Sequence, residues 1–169
     1  MGILDFIQKG LIDEFKKIQQ DEGHHYISFG LISQGIEFLG ACLDSDPFSK
    51  EGLSGPRFRN AICNLFPTPY HEFNQGKGRP FDLYDNLRCS LLHVVLPKPQ
   101  LELIGRSEKT KFEANHLEVK KIRGVDRLVL VSEDLFEDYE KACKEIMARI
   151  SDGRLSGSKF AGELLLTEP

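Results

Sequence analysis

What this chain lacks narrows it first. Its four cysteines, Cys42, Cys63, Cys89 and Cys143, form no C-x-x-C spacing and fall within apolar stretches. They read as reduced core thiols, not as a disulfide framework or a zinc site. No uninterrupted apolar run reaches the roughly 18 residues needed to cross a bilayer, so no membrane association is expected. The opening MGILDFIQKGLIDEF has no basic leading region, and Asp5, Lys9, Asp13 and Glu14 interrupt its apolar residues. That pattern is not a signal peptide, and the expected location is cytoplasmic. Internal repeats, low-complexity tracts and interdomain linkers are also missing. The formal net charge of -4 argues against broad electrostatic binding to nucleic acid, while leaving room for a local basic patch.

What is present suits one folded unit. A chain of 169 residues with 40% hydrophobic and 28% charged residues has the size and composition of a single globular domain with a real core. Ile3, Leu4, Ile7, Leu11, Phe15 and Ile18 recur at three- and four-residue spacing, which predicts an amphipathic helix over residues 3 to 20. From about His25 to Leu43 nearly every position is apolar, as in a helix buried on most sides at the centre of a bundle. The turn-forming stretch DSDPFSKEGLSGP leads to a short helix over about Pro56 to Phe66, with Pro56 at its first position. YHEFNQGKGRP reads as a polar loop, and Asp82 caps a fourth helix over Leu83 to Leu96 that Pro97 ends.

After Pro99 the period shifts towards two. Runs at Leu101 and Leu103, Leu117 and Val119, and LVLV at 128 to 131 predict a small antiparallel β-meander. Ser132, Glu133 and Asp134 then mark the start of a last long helix reaching about Ile150, closed by Ser151-Asp152-Gly153. The expectation is a mainly α fold. A helical bundle occupies 3 to 98, the meander 99 to 131, the last helix 132 to 152 and a tail 153 to 169.

Candidate chemistry gathers on the fourth helix. Arg88 and His93 stand in LYDNLRCSLLHVVLPK, and imidazole that titrates near neutral pH beside a guanidinium that can hold two phosphate oxygens suits phosphoryl chemistry. Glu37, on the buried second helix, supplies an acid that can pair with Arg88, since a charge on so apolar a helix needs a partner or a function. On one ideal helix a five-residue offset separates two side chains by about 140°, which suits a site completed at a seam between two copies. The structural alternatives are an ion pair of Arg88 with Glu37 or Asp85 and a hydrogen bond from His93 to a backbone carbonyl.

The R-x4-H spacing and its helical setting resemble the HEPN superfamily over about residues 3 to 98. The resemblance implies a homodimeric helical domain acting on RNA or a nucleotide without metal or cofactor. It implies Arg88 and His93 as catalytic residues of an endoribonuclease, with Glu37, Asp85 or Asn86 orienting them. Active members usually place Asn, Asp or His directly after the Arg, where this chain has Cys89. That departure carries the alternative reading, a noncatalytic dimerising or partner-binding helical protein.

Other candidates are thinner. The loop Gln75-Gly76-Lys77-Gly78-Arg79 sets two cations, Lys77 and Arg79, before a helix start, an arrangement that attracts phosphate but lacks full P-loop spacing. His24 and His25 have no partner at metal-ligand spacing and read as a polar helix start. His71 and His116 fall in loop or strand edge. The basic residues between Lys109 and Arg127 are interleaved with acids and read as solvent-facing charge.

Overall fold

A computed structural model describes residues 2 to 20, 25 to 76 and 78 to 155. Helix α1 (residues 3–20) is continuous but widens to π-helical bonding over Phe6–Asp13. It lays Ile7, Leu11 and Ile12 into the core. Helix α2 (His25–Leu43) is the central element and buries Phe29, Ile32, Ile36 and Leu39. Each such side chain contributes about 1.5–3 kcal/mol on leaving water. By length and composition α2 would also span a membrane, but 56% of that window is buried inside the protein. It is therefore the core helix that its all-round hydrophobicity predicts.

Helix α3 (Ser54–Leu65) begins two residues before Pro56. Proline is tolerated there because first-turn N–H groups have no intrahelical acceptor. The stretch read as a polar loop overlaps a 3₁₀ segment, Thr68–Phe73, that buries Tyr70 and Phe73. Two inward aromatics order it. Helix α4 (residues 84–94) is π-helical over Tyr84–Cys89 and α-helical over Ser90–Val94. Asp82 caps it as expected, its Oδ1 accepting from the Asp85 N–H at 3.0 Å. The helix stops at Val94, ahead of Pro97, because Val95 turns into the left-handed region at φ 59°.

The sheet is mixed, which corrects the expected meander. Strands β2 (Glu118–Ile122) and β3 (Val125–Val131) pair antiparallel through a two-residue turn in which Arg123 and Gly124 both have positive φ, the conformation that matches strand twist. Strand β1 (Leu101–Ile104) instead joins β3 in parallel, giving the order β1-β3-β2. Parallel neighbours need a crossover. The turns at Arg106–Glu108 and Lys109–Phe112 carry the chain between β1 and β2. Central β3 is buried on both faces: Leu128 and Leu130 enter the main core, while Val129 and Val131 meet Ile104, Ala114 and Ile122.

Helix α5 (Ser132–Ser151) follows β3 directly. Ser132 was expected to cap it, but its buried hydroxyl bonds the Gln19 side chain of α1 at 2.8 Å. The first-turn acids turn outward, with Glu133 accepting from the Arg106 N–H and Asp134 holding Arg106 and Lys109. The tail beyond Leu155 lies outside the described residues, as does His24.

Two glycines let α2 meet its neighbours closely. A Cβ at Gly40 would lie 1.9 Å from the Arg57 carbonyl oxygen of α3, and one at Gly35 would lie 2.1 Å from the Tyr139 hydroxyl of α5. Because backbone cannot swing aside, Gly40→Ala should destabilise the fold by about 2–3 kcal/mol in denaturant unfolding. Gly30, on the same helix, has nothing within 4 Å of such a Cβ. Gly30→Ala should leave stability unchanged or raise it by up to about 1 kcal/mol.

Candidate functional site

The fourth helix meets α2 and α3 at an open cleft of about 500 Å³, lined by Gln34, Glu37, Phe38, Ala41, Phe48, Arg57, Arg88 and Leu92. On α2 the four-residue spacing of Gln34 and Phe38, with Glu37 and Ala41 beside them, makes one stripe. Arg88 and Leu92 make the facing stripe on α4. Phe48 comes from the loop before α3 and stacks on Phe38 at 5.4 Å, and Phe6 meets the same Phe38 edge-on.

Arg88 sits in this wall with its side chain 15% exposed. Its Nη2 lies 2.6 Å from Glu37 Oε2 and 3.3 Å from the Ser54 hydroxyl, which donates to Glu37 Oε1 at 2.6 Å. The Arg88–Glu37 contact is ionic and out of line for a hydrogen bond, so the buried Oε2 stays unbonded in that sense. The buried Arg88 Nε has no hydrogen-bond partner either. The guanidinium also lies 5.7 Å from the Tyr84 ring.

The other two arginines nearby are used differently. Arg57 clamps the loop before α3, giving Nε to Asp44 at 2.8 Å, Nη1 to the Phe48 carbonyl at 2.9 Å and Nη2 to the Pro47 carbonyl at 2.6 Å. Arg59 makes a two-pronged pair with fully buried Asp82 at 2.6 and 3.0 Å. Burial alone would raise the Asp82 carboxyl. Arg59 and the amides of Asp85 and Gly76 outweigh it and hold the group below the usual carboxylate range. Arg57 is committed to the loop and Arg59 to the helix cap, whereas Arg88 is held through Nη2 at the cleft wall.

His93 is exposed in the last turn of α4 and makes no hydrogen bond or ion pair among the described residues. The structure thus brings Arg88 together with Glu37, as expected, and leaves His93 outside that group. Just after His93 in the chain, Val95 and Leu96 are exposed, and the Tyr26 hydroxyl of α2 donates to the Val95 carbonyl. Of the supporting residues, Asn86 is buried and donates to the Pro80 carbonyl at 2.7 Å. Asp85 accepts from the Gly78 N–H at 3.3 Å. Both shape the preceding loop; neither bonds Arg88. Arg79 is exposed in that loop, and Lys77 lies outside the described residues.

Cys42 and Cys143 are buried, reduced thiols, but Cys63 is exposed and Cys89 half-buried, so the expected core placement holds for two of the four. Among the described residues no three His, Cys, Asp or Glu side chains gather as a metal site. Lys109, Lys120 and Arg127 are paired with Asp134, Glu113 and Glu102.

Sequence reasoning missed His116. Its ring lies in the interior, where Nδ1 accepts from the Val131 N–H at 2.9 Å. Nε2 therefore carries the proton and donates to the Tyr70 hydroxyl at 2.7 Å, which in turn donates to Asp138 at 3.2 Å. No local spacing announces this network, because its members are separated by 46 and 68 residues.

No family model, curated protein or solved structure matches this chain.

His116 predicts a pH response. Burial pushes the imidazole down to about 4 against an ordinary 6.5, with Lys109 assisting and Asp134 and Asp138 opposing. A histidine lowered in the folded state stabilises fully above its unfolded value, and that stability drains away as pH falls towards the folded value. Between pH 6.5 and 4 this group should cost the fold about 3 kcal/mol. Unfolding free energies of His116→Gln measured across that interval should fall less steeply than those of the unaltered protein.

Proposed function

We propose that this protein is a HEPN-like RNA-cleaving domain that works as a homodimer. In this reading Arg88 binds and neutralises the scissile phosphate, and His93 transfers a proton. The observation that carries it is the unequal treatment of the arginines. Arg57 and Arg59 have committed bonds, while Arg88, held through Nη2 by Glu37 and Ser54, lines the open cleft.

The chemistry needs those residues and water as the second proton carrier. The ribose 2′-oxygen attacks the adjacent phosphorus and loses its proton to a base. The bond to the 5′-oxygen breaks, and that oxygen receives a proton, leaving a 2′,3′-cyclic phosphate and a free 5′-hydroxyl. Guanidinium stabilises the charge gathering on the phosphoryl oxygens, and an exposed imidazole serves as base or acid. Glu37 holds Arg88 in place until a phosphate shares the cation.

Separation of His93 from the Arg88 group within one chain supports a seam between two copies. So do Val95 and Leu96, exposed apolar residues that follow His93 directly, since exposed apolar surface marks contact sites. Val95 adds weight: a β-branched residue in the left-handed region costs about 1–3 kcal/mol, and such strain concentrates at functional sites. A second reading, a noncatalytic dimerising or partner-binding protein, is favoured by the Glu37 and Ser54 contacts to Arg88 and by Cys89 after it.

Incubation of mixed RNA with the protein in EDTA should give fragments ending in 2′,3′-cyclic phosphate. His93→Ala should lower the rate by about a hundredfold or more without changing the unfolding temperature. Mixing His93→Ala with Arg88→Ala subunits should restore about a quarter of the activity, since half the exchanged two-fold dimers would each hold one intact site. Absence of cleavage by the unaltered protein would sink the nuclease and leave the partner-binding reading.

A further inference from the structure

We propose that the cleft beside Arg88 is a nucleobase subsite and that it selects adenine. This rests on the reading of Arg88 as a phosphate ligand and adds the identity of the nucleotide held next to that phosphate.

The cleft has the right scale, since its volume of about 500 Å³ falls in the roughly 300–1,000 Å³ range of small-molecule pockets. Phe38, Phe48, Ala41 and Leu92 give it an apolar lining. The first two are aromatic, stacked with planes 12° apart, and backed by Phe6. An aromatic wall next to a cation matches the two parts of a nucleotide: a flat base with π-faces and an anionic phosphate.

Among the described residues of the lining, only one polar side chain is free to read a base edge. Arg57 is spent on the loop carbonyls and Asp44, and both Glu37 oxygens face Ser54 or Arg88. Gln34 is exposed at the cleft and makes no hydrogen bond among the described residues. It lies about one turn before Phe38 on α2, roughly 5–6 Å along the helix axis.

A primary amide offers one acceptor and one donor side by side. That pair matches the N6 amino group and N7 of adenine. Guanine presents two acceptors, O6 and N7, on the corresponding edge, where the amide oxygen would face another oxygen. Cytosine has a smaller ring to lay on the aromatic wall.

Calorimetric titration of the full chain with AMP, GMP, CMP and adenosine tests this directly. AMP should bind at least about tenfold more tightly than GMP or CMP, and Gln34→Leu should erase that preference while leaving thermal unfolding unchanged. Arg88→Ala should weaken AMP but not adenosine, separating phosphate from base. Equal affinity for all bases, no saturable AMP binding, or an unaltered preference in Gln34→Leu would overturn the proposal. RNA cleavage without any base preference would remove the adenine subsite and keep the nuclease. A Gln34-dependent AMP preference in a protein that cleaves no RNA would keep the subsite and remove the nuclease.

Discussion

The structure depends on enclosing α2. A helix apolar around nearly its whole circumference cannot sit on a surface; it must be wrapped by other elements. Here α1, α3 and α5 pack against it, as does the sheet through its inner face. Two of these contacts are as close as backbone allows because Gly35 and Gly40 carry no side chain. At the cleft α2 reaches solvent at Gln34, Glu37 and Phe38, as it does nearer its start at Tyr26 and Ile27. The cleft is one strip of the central helix that its neighbours leave uncovered.

Electrostatics around that strip follow from the same geometry. A carboxylate on a core helix is costly unless paired, and α4 presents Arg88 opposite Glu37. The comparison with Arg59 and Asp82 is instructive. That pair is two-pronged, buried and supported by two amides, so both charges are matched by aligned donors and acceptors. The Arg88–Glu37 contact is short, one-pronged and out of line for a hydrogen bond. Breaking the first pair would strand a buried charge; the second lies at the wall of the open cleft.

Much of the helical layout was legible because long elements carry their period. The spacing over residues 3 to 20, the apolar density of 25 to 43 and the cap at Asp82 each correspond to an observed element. The pairing of Arg88 with Glu37 was legible too, since only a few groups on buried helices can meet a buried cation. Strand order was not. LVLV at 128 to 131 does carry a clue, for a run without alternation suits a strand covered on both faces. Such a strand belongs between β1 and β2, whose LELI and EVKKI include the charges typical of edges. The 3₁₀ segment at 68 to 73 was hidden because only Tyr70 and Phe73 point inward. His116 was hidden because its partners are distant in sequence.

The two ends of α4 have different mechanical characters, and that difference bears on how a site there would work. Arg88 lies where the helix is gripped by α2 and α3, so its guanidinium is placed by the core and loses little freedom when it meets an anion. His93 lies beyond that grip, in a last turn ended by a strained valine and tied back to α2 through Tyr26. An imidazole there is presented but not oriented. Proton transfer requires heavy atoms within about 2.6–3.2 Å, so the turn needs a surface to settle against. Exposed Val95 and Leu96 follow His93 directly, with Tyr26 bonded to the Val95 carbonyl, and in the proposed dimer a second copy would supply the surface against which this turn settles.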